Sequence, residues 1–172
     1  MKYMFVSDIH GNISKFEEII TIFENEKADK LIILGDTASR CDEYDNKYIT
    51  DILNGMKYKV EVIRGNCDTY EFEKNLQFQI YDLDNLYINE KVVTITHGHF
   101  YNSLDLPSNC GEIFVQGHTH IPILQETRGR IFANPVSVTR PRGIDLRCYI
   151  IIEGQQIVLK TLEGNVVKKI SF

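Results

Sequence analysis

The sequence lacks any long hydrophobic run. The apolar stretch at the N-terminus ends before Ser7 and Asp8, so it is far shorter than the hydrophobic region of a signal peptide. No other segment approaches the ~20 apolar residues that a membrane span requires. We therefore expect a cytoplasmic protein that does not act at a membrane.

Clusters of basic residues are also absent. The chain has 19 Lys and Arg residues against 24 Asp and Glu residues, which gives a formal net charge of -5. Nucleic acids are bound mainly through clustered Lys and Arg side chains that contact the phosphate backbone. We therefore expect no nucleic-acid polymer as a partner. A small anionic substrate is compatible with this net charge if metal ions supply the positive charge.

Cysteine is sparse and lacks the spacing of a metal site. The four cysteines, at positions 41, 67, 110 and 148, contain no C-x-x-C pair, which argues against a zinc knuckle or a secreted disulfide framework. We expect reduced thiols in the cytosol. The sequence has no internal repeats or low-complexity tracts, and 172 residues with 43% hydrophobic content suffice for one core. We therefore predict a single domain over residues 1–172.

Strand-like and helix-like segments alternate in the first half of the chain, which is typical of an α/β fold. Apolar residues recur at helical spacing from position 13 to position 23, and Ser14 with Glu17 fits a capping box at the start of that helix. A second helix is predicted at 47–56. The predicted strands of this half are 2–7, 30–34 and 59–63.

In the second half, strands follow one another with only short turns between them. Turns at Asn89-Glu90, Arg128-Gly129 and Gly154 separate three pairs of predicted strands. The predicted strands are 86–89, 91–96, 112–116, 123–127, 130–133, 147–153, 155–162 and 165–170. Together, the two halves predict an α/β protein built as a two-sheet β-sandwich flanked by helices.

Five predicted strands end directly in a short polar cluster, usually beside a glycine. The five clusters read MFVSDIHG, LIILGD, VEVIRGN, VVTITHGH and IFVQGHTH. Ligands of open α/β sheets bind beyond the carboxyl ends of the strands, so we expect these clusters to converge. All five histidines of the protein lie within them: His10, His97, His99, His118 and His120.

Each cluster on its own has an ordinary structural explanation. Asp8 and His10 fit a helix-capping pair, and the Gly-Asp and Gly-Asn pairs at Asp36 and Asn66 are common in turns. Their joint occurrence, in chain order and at five strand ends, favours a metal centre. Imidazole combined with carboxylate suits manganese, iron, zinc, nickel or cobalt better than calcium or magnesium, which prefer oxygen ligands.

These residues resemble the signature of the calcineurin-like metallophosphoesterase superfamily: D-x-H, G-D, G-N-x-D, H and G-H-x-H. The elements stand in that order as Asp8-Ile9-His10, Gly35-Asp36, Gly65-Asn66-Cys67-Asp68, His97 and Gly117-His118-Thr119-His120. The G-N-C-D element, the T-H-G-H run and the N-P-x-S element at Asn134 are similar to the bacterial YfcE-like phosphodiesterases. The resemblance extends from residue 2 to about residue 152.

The resemblance implies the metallophosphoesterase fold, with α-β-β-α layers, and a centre of two divalent metal ions, with Mn²⁺ as the first candidate. Asp36 would bridge both ions. The shell of one ion would be completed by Asp8, His10 and His120, and that of the other by Asn66, His97 and His118. Each ion then keeps open positions for water and a phosphate oxygen, as in catalytic metal sites.

The charge of such a centre suits a small phosphodiester. Two divalent ions carry four positive charges, two aspartates offset two of them and a bridging hydroxide offsets one more, which leaves one for the single negative charge of a diester. Metal coordination lowers the pKa of water towards ~7, so the bridging hydroxide can attack phosphorus in line. The predicted enzyme is a phosphoric diester hydrolase that forms no covalent intermediate.

Two departures from the superfamily pattern concern the site. Cys67 stands where many relatives have a histidine that assists the leaving group, and a thiol with an ordinary pKa of ~8.5 is a poor substitute. Packing is the alternative role for this thiol. Val136 occupies a position where relatives usually have glycine.

Asp68 is expected to orient the site by hydrogen bonds, and His99 is either a similar partner or a plain loop residue. The predicted catalytic residues are Asp36, Asn66, His97, Asp68 and Cys67. Segments 37–48 and 100–110 are predicted to form the two walls of the substrate cleft. Candidate phosphate contacts, most of which are explained better as solvated surface residues, are Arg40, Arg64, Arg140 and Arg142.

Two alternative functions use the same fold. One is a phosphomonoesterase or phosphoprotein phosphatase on the same metal site. The other is a scaffold without chemistry, as in the retromer subunit of this fold. Hairpins near the C-terminus have apolar faces, such as that of residues 148–152, which could pair between subunits. A homo-oligomer, as a dimer or a tetramer, is therefore also compatible with the sequence.

Overall fold

The computed structural model of the protein describes residues 1–39, 42–143 and 145–172. No helix among these residues is both long and apolar enough to cross a membrane. The elements in chain order are β1 (Lys2–Val6), α1 (Ile13–Asn25), β2 (Lys30–Ile33), α2 (Glu43–Gly55), β3 (Val60–Val62), α3 (Tyr70–Asn75), β4 (Leu83–Ile88), β5 (Lys91–Thr96), β6 (Ile113–Val115), β7 (Ile123–Thr127), β8 (Arg130–Asn134), β9 (Cys148–Glu153), β10 (Gln156–Thr161) and β11 (Val166–Ser171).

The strands form two mixed sheets. The first has the order β11-β10-β9-β1-β2-β3, and the second has the order β4-β5-β6-β8-β7. Strands β1, β2 and β3 are parallel neighbours in the first sheet, and β5, β6 and β8 are parallel neighbours in the second. The carboxyl ends of parallel strands meet at one edge, so this topology brings the segments that follow them together.

Two hydrophobic cores hold the layers. One lies between the sheets, where Phe5 and Ile32 of the first sheet share a cluster with Val93 and Val115 of the second. The other lies on the outer face of the first sheet, where α1 and α2 bury their apolar sides against alternate strand residues such as Met4. Alternation of strand side chains between the two cores explains why β1 and β2 are apolar on both faces. The predicted two-sheet sandwich flanked by helices is confirmed.

The helix starts differ from the sequence-based predictions. Helix α1 begins two residues earlier than the proposed capping box, because the Asn12 side chain accepts a hydrogen bond from the Lys15 N–H at 2.9 Å and so caps the helix. Helix α2 begins at Glu43 and not at residue 47, since Asp42 accepts from two N–H groups of its first turn. The short helix α3 was not predicted, because six residues are too few to show a helical period.

The three predicted hairpin turns are confirmed, and the turn at Gly154 joins the antiparallel strands β9 and β10. Asn89 and Glu90 both have positive φ, 49° and 67°, between the antiparallel strands β4 and β5. Arg128 and Gly129 repeat this geometry, with φ of 53° and 75°, between β7 and β8. Two-residue turns with both central residues in the left-handed region match the twist of a hairpin.

Glu61 is an acidic residue at the edge of the inter-sheet core. It lies on β3 beside Ile32 in the register, so its side chain faces the second sheet. Burial and, to a smaller extent, the neighbouring Asp84 carboxylate on β4 together raise the pKa of Glu61 to about 7. The Glu61 carboxyl group therefore binds its proton more tightly in the folded protein than in the unfolded chain.

We expect Glu61→Gln to stabilise the protein at pH 8 but not at pH 4. The stability from protonated Glu61 is complete below its ordinary pKa of 4.5 and is lost as the pH rises through about 7. Glutamine keeps a neutral side chain at both pH values. Calorimetry at pH 8 should show a melting temperature higher by about 3 °C, or about 1 kcal/mol after allowance for solvent screening.

The exposed Glu126 on β7 provides a matched control. Glu126→Gln should change the melting temperature equally little at both pH values. If Glu61→Gln changed stability by the same amount at pH 4 and pH 8, protonation of Glu61 would have no part in the pH dependence.

Candidate metal centre

The five polar clusters at strand ends meet at one edge of the sandwich. The loops after β1 and β2 run side by side, because the Asp8 N–H donates to the Gly35 carbonyl at 3.1 Å and the His10 N–H to the Asp36 carbonyl at 2.8 Å. The loops after β5 and β6 are joined in the same way, by the Gly117 N–H and the His97 carbonyl at 2.9 Å. The expected convergence is therefore present in the structure.

Glycine permits this close approach at two positions. A Cβ atom on Gly65 would lie 2.0 Å from the Asp36 nitrogen, and one on Gly117 would lie 1.8 Å from the Ser7 Oγ. Both distances are impossible for a side chain, so the loops could not pack with any other residue there. The glycines of the G-N and G-H pairs are thus needed because they let neighbouring loops approach each other closely.

All seven predicted metal ligands are linked into one cluster. Asp8 and Asp36 supply two carboxylates whose side chains are 0% and 3% exposed. The neighbouring donor atoms are Asp8 Oδ1 and His120 Nε2 (3.0 Å), His10 Nε2 and His120 Nε2 (3.5 Å), His10 Nε2 and Asp36 Oδ2 (3.9 Å), Asp36 Oδ1 and His97 Nε2 (3.5 Å), His97 Nε2 and Asn66 Oδ1 (3.2 Å), and His97 Nε2 and His118 Nδ1 (3.2 Å).

The backbone of this cluster is strained. Five of its residues have φ between 51° and 64°, in the left-handed region that non-glycine residues rarely adopt. Such strain costs on the order of 1 kcal/mol or more per residue and concentrates at functional sites. The five residues are Asp8, His10, Asp36, His118 and His120.

Two histidines are oriented by backbone carbonyl groups. The Nδ1 of His97 donates to the Leu34 carbonyl at 2.7 Å, and the Nδ1 of His120 donates to the Arg140 carbonyl at 2.7 Å. Each ring therefore turns an unprotonated Nε2 towards the carboxylates when the histidine is neutral, which is the usual arrangement of a metal-binding histidine.

The donor set fits divalent metal ions. Three groups of side chains have ligand atoms within 4.8 Å of one another: Asp8, His10 and His120; Asp8, Asp36 and His97; and His10, Asp36 and Cys67. Asp36 belongs to two of these groups, and Asp8 also belongs to two. Nitrogen and oxygen donors of this kind suit transition-metal ions.

The pKa shifts reflect close pairing of carboxylates with histidines. Burial raises the pKa of Asp36, but the contacts with His97 and with the Cys67 N–H outweigh it and bring the pKa below its ordinary range. Burial lowers the pKa of His97, whereas Asp36 and Asp8 raise it and prevail. The pKa of His120 is raised, chiefly by its hydrogen bond to Asp8. The cluster therefore favours cations at its centre.

Asp68 and Cys67 have different places in the site. The Asp68 carboxylate accepts from the Ala38 and Gly65 N–H groups, both at 2.8 Å, so it ties the loop after β2 to the loop after β3. Cys67 lines the cavity beside Asp36, to which its N–H donates at 2.7 Å. The Cys67 side chain thus faces the centre and is not a packing residue of the core.

Residues that were not predicted hold the ligand loops in place. The hydroxyl groups of Ser137 and Thr139 both donate to the Asp8 carbonyl, at 2.9 and 2.7 Å. The Asn134 amide donates to the Gly117 carbonyl at 2.8 Å and to the Thr119 hydroxyl at 3.0 Å. The N-P-x-S element was the sequence signal for this group, because it contains both Asn134 and Ser137.

Val136, in the same element, has φ of 68° and is fully buried. A β-branched residue in the left-handed region is a true outlier. Its N–H donates to the Asn134 Oδ1 at 2.9 Å, which closes the turn.

Among the described residues, neither of the two predicted cleft walls lines the cavity at the cluster. The cavity at the cluster is lined by His10, Asp36, Asn66, Cys67, His118, Thr119, His120, Arg140, Pro141 and Arg142. The described part of segment 37–48 instead lines a separate groove between α2 and α3, because Asp42 starts a helix there. Segment 100–110 contacts the cluster indirectly: the ring centroid of Phe100 lies 4.0 Å from that of His99, which packs against the histidines of the cluster.

His99 packs beside the ligand histidines but lies outside the cavity lining. Its ring centroid is 5.3 Å from that of His97, and its buried Nδ1 has no hydrogen-bond partner among the described residues. Burial lowers the pKa of His99. The neutral ring thus supports the His97 side of the cluster by packing against it.

The four candidate arginines separate into distinct cases. Arg64 is held by the carboxylates of Glu73 and Asp82, at 2.5 and 2.9 Å, and is therefore not a phosphate contact. Arg140 and Arg142 line the cavity. Arg40 lies outside the described residues.

Comparisons with known proteins agree with this architecture. Residues 1–156 match the calcineurin-like phosphoesterase superfamily domain. The chain is 35% identical to phosphodiesterase YfcE of Escherichia coli K12 over 96% of this chain and 94% of that protein. It is also 23% identical to phosphodiesterase MJ0936 of Methanocaldococcus jannaschii, over 78% of this chain and 82% of that protein.

Solved structures extend the comparison. The structure of YfcE, described as a phosphoesterase from E. coli, superposes with a TM-score of 0.90 and 27% identity in the structural alignment, and 99% of each chain is covered. Vps29 of Entamoeba histolytica in complex with Zn²⁺ shares the fold at a TM-score of 0.65 and 18% identity, again over 99% of each chain. The chain therefore belongs to the calcineurin-like phosphoesterase superfamily and is a metallophosphoesterase by family and by fold.

Proposed function

We propose that the protein hydrolyses small phosphodiesters at a centre of two divalent metal ions, with Mn²⁺ as the first candidate. The observation that carries this proposal is the convergence of seven nitrogen and oxygen donors from five strand ends in one cluster. Five of these residues line an open cavity: His10, Asp36, Asn66, His118 and His120. The extensive similarity to a protein named as a phosphodiesterase supports the choice of substrate class.

The seven predicted ligands would be divided between the two ions. Asp36 would be shared between the ions, Asp8, His10 and His120 would hold one, and Asn66, His97 and His118 would hold the other. Bound divalent ions supply Lewis acidity and lower the pKa of water, so that a nucleophile is available at neutral pH. Asp68 holds the loops after β2 and β3 at a fixed separation, which keeps Asp36 opposite Asn66.

Two alternatives use the same fold. A phosphomonoesterase needs more positive charge at the site, because a monoester carries about two negative charges at neutral pH. A scaffold without chemistry is the second alternative, and the fold that the chain shares with Vps29 does not exclude it. All seven ligand positions of this chain hold competent side chains, which favours an enzyme. The single-domain extent, the cytoplasmic location and a homo-oligomer stay predictions.

With Mn²⁺ present, we expect hydrolysis of bis-p-nitrophenyl phosphate with a kcat/KM at least tenfold above that of p-nitrophenyl phosphate. The metal centre itself should leave one positive charge for the phosphate group that is cleaved, which suits a diester. Release of p-nitrophenol measures both rates, and chelation of the metal should abolish them.

Two aspartate variants control the diester assay. Asp36→Asn removes a charge from the proposed bridging position and should lower kcat/KM by about a thousandfold or more. Asp51→Asn removes an equal charge from a surface pair with Lys47 and should leave the rate unchanged. A large preference for the monoester, or full activity of Asp36→Asn, would contradict the proposed function.

Cys67 limits the choice of leaving groups. Its side chain lies in the cavity within 4.8 Å of donor atoms of His10 and Asp36. A neutral thiol is a weak proton donor at pH 7, whereas a histidine of ordinary pKa can assist a departing alkoxide. Activated alcohols such as p-nitrophenol need no such assistance.

We expect Cys67→His to accelerate diesters of poor leaving groups selectively. General acid assistance contributes about a hundredfold or more, so methyl p-nitrophenyl phosphate and a dialkyl ester should diverge in their response to the substitution. The dependence of log kcat on leaving-group pKa should become shallower. Cys67→Ser, which retains a weak donor, should keep the steep dependence. An equally steep slope in Cys67→His would exclude a leaving-group role for this position.

A further inference from the structure

Arg140, Pro141 and Arg142 form one wall of the metal-centre cavity. The cavity has a volume of about 690 Å³. Sites of roughly 300–1,000 Å³ accommodate ligands of drug size, so there is room here for a substrate much larger than a single phosphate group. The wall therefore lies within the space that the alcohol portion of a diester would need.

The backbone of this wall is fastened to the metal centre. The His120 Nδ1 donates to the Arg140 carbonyl at 2.7 Å, and the Arg142 N–H donates to the His120 carbonyl at 2.8 Å. The Arg140 N–H donates to the Ser137 hydroxyl at 2.9 Å, and Pro141 restricts the intervening φ. The backbone of both arginines is thus held at a fixed position relative to His120, a predicted metal ligand.

Their side chains are exposed, and neither makes an ion pair or a side-chain hydrogen bond with a described residue. Arg64 shows the contrasting case, since Glu73 and Asp82 neutralise it. In a chain of net charge -5, two uncompensated guanidinium groups therefore lie at one cavity. Guanidinium groups bind phosphate through paired N–H donors.

The charges indicate what this wall binds. The proposed function, on which this inference rests, leaves one positive charge for the diester, and the two arginines add two more. We propose that the substrate is a phosphodiester whose alcohol carries a second phosphate group, bound by Arg140 and Arg142. A terminal phosphate carries about two negative charges at neutral pH and so balances both guanidinium groups.

A matched pair of substrates tests this inference. Thymidine 5′-(p-nitrophenyl phosphate) has one phosphate group, and its 3′-phosphorylated derivative has a second. In the presence of Mn²⁺, the kcat/KM of the wild type should be about 100-fold greater for the derivative, because each charge-assisted contact contributes about tenfold. Arg140→Gln and Arg142→Gln should each lower this ratio about tenfold, and the double variant should bring it close to one. Arg128→Gln, on the distant β7–β8 turn, should retain the wild-type ratio.

Binding gives a second readout that does not depend on turnover. Calorimetric titration should show thymidine 3′,5′-bisphosphate binding more tightly than thymidine 5′-phosphate to the wild type, with the difference lost in the double variant. A ratio near one in the wild type, or an unchanged ratio in the double variant, would overturn the inference. Equal losses on both substrates would also overturn it, since they indicate general electrostatic attraction. Absence of hydrolysis of either diester would instead contradict the proposed function.

Discussion

Asp8 and Asp36 place two carboxylates in the protein interior, and the rest of the site depends on how their charge is compensated. Removing an ion from water costs several kcal/mol unless hydrogen bonds or opposite charges replace the lost hydration. Asp8 accepts from the Ser7 hydroxyl at 2.6 Å and from the His118 N–H at 3.0 Å, while Asp36 accepts from the Cys67 N–H. Histidines surround the remaining oxygens. Divalent ions would complete this compensation more fully than protonated imidazoles.

The sheet topology brings the residues of this cluster together. Parallel strands end at the same edge of each sheet, so predicted ligands that are 112 positions apart come together: the Asp8 Oδ1 and the His120 Nε2 are separated by 3.0 Å. The backbone strain at the ligands is balanced by the two buried cores, which bind the strands on both faces. The rigid sandwich thus permits a set of loops that would not hold their conformation alone.

Much of this arrangement could be predicted from sequence. The strand ends carry a repeated signal, an apolar run followed by Gly with His, Asp or Asn, and that signal is local in the chain. The seven residues that cluster could be selected in advance because the family motif supplied the order in which these signals combine. The two-sheet fold followed from strand alternation and from turns such as Asn89-Glu90.

The cleft walls could not be predicted, because they depend on which loop lies over the cavity in three dimensions. The residues between Asp42 and Tyr48 have no apolar period, and their helical conformation depends on the Asp42 cap and on packing of α2 against the first sheet. The wall of Arg140 and Arg142 is set by hydrogen bonds to His120, which connect loops distant in sequence. Arg64 differs from these two arginines because it forms ion pairs with Glu73 and Asp82. Such contacts between residues distant in the chain are not visible in the sequence.

Anomalous diffraction from a crystal soaked in Mn²⁺ tests the proposed metal centre most directly. We predict two manganese peaks about 3.5–4 Å apart, the spacing of two-metal sites, with the Asp36 carboxylate in contact with both. The histidine Nε2 atoms of His97 and His120 should point at different ions. A single ion, ions bound without Asp36, or an empty cluster whose side chains point apart would contradict this account.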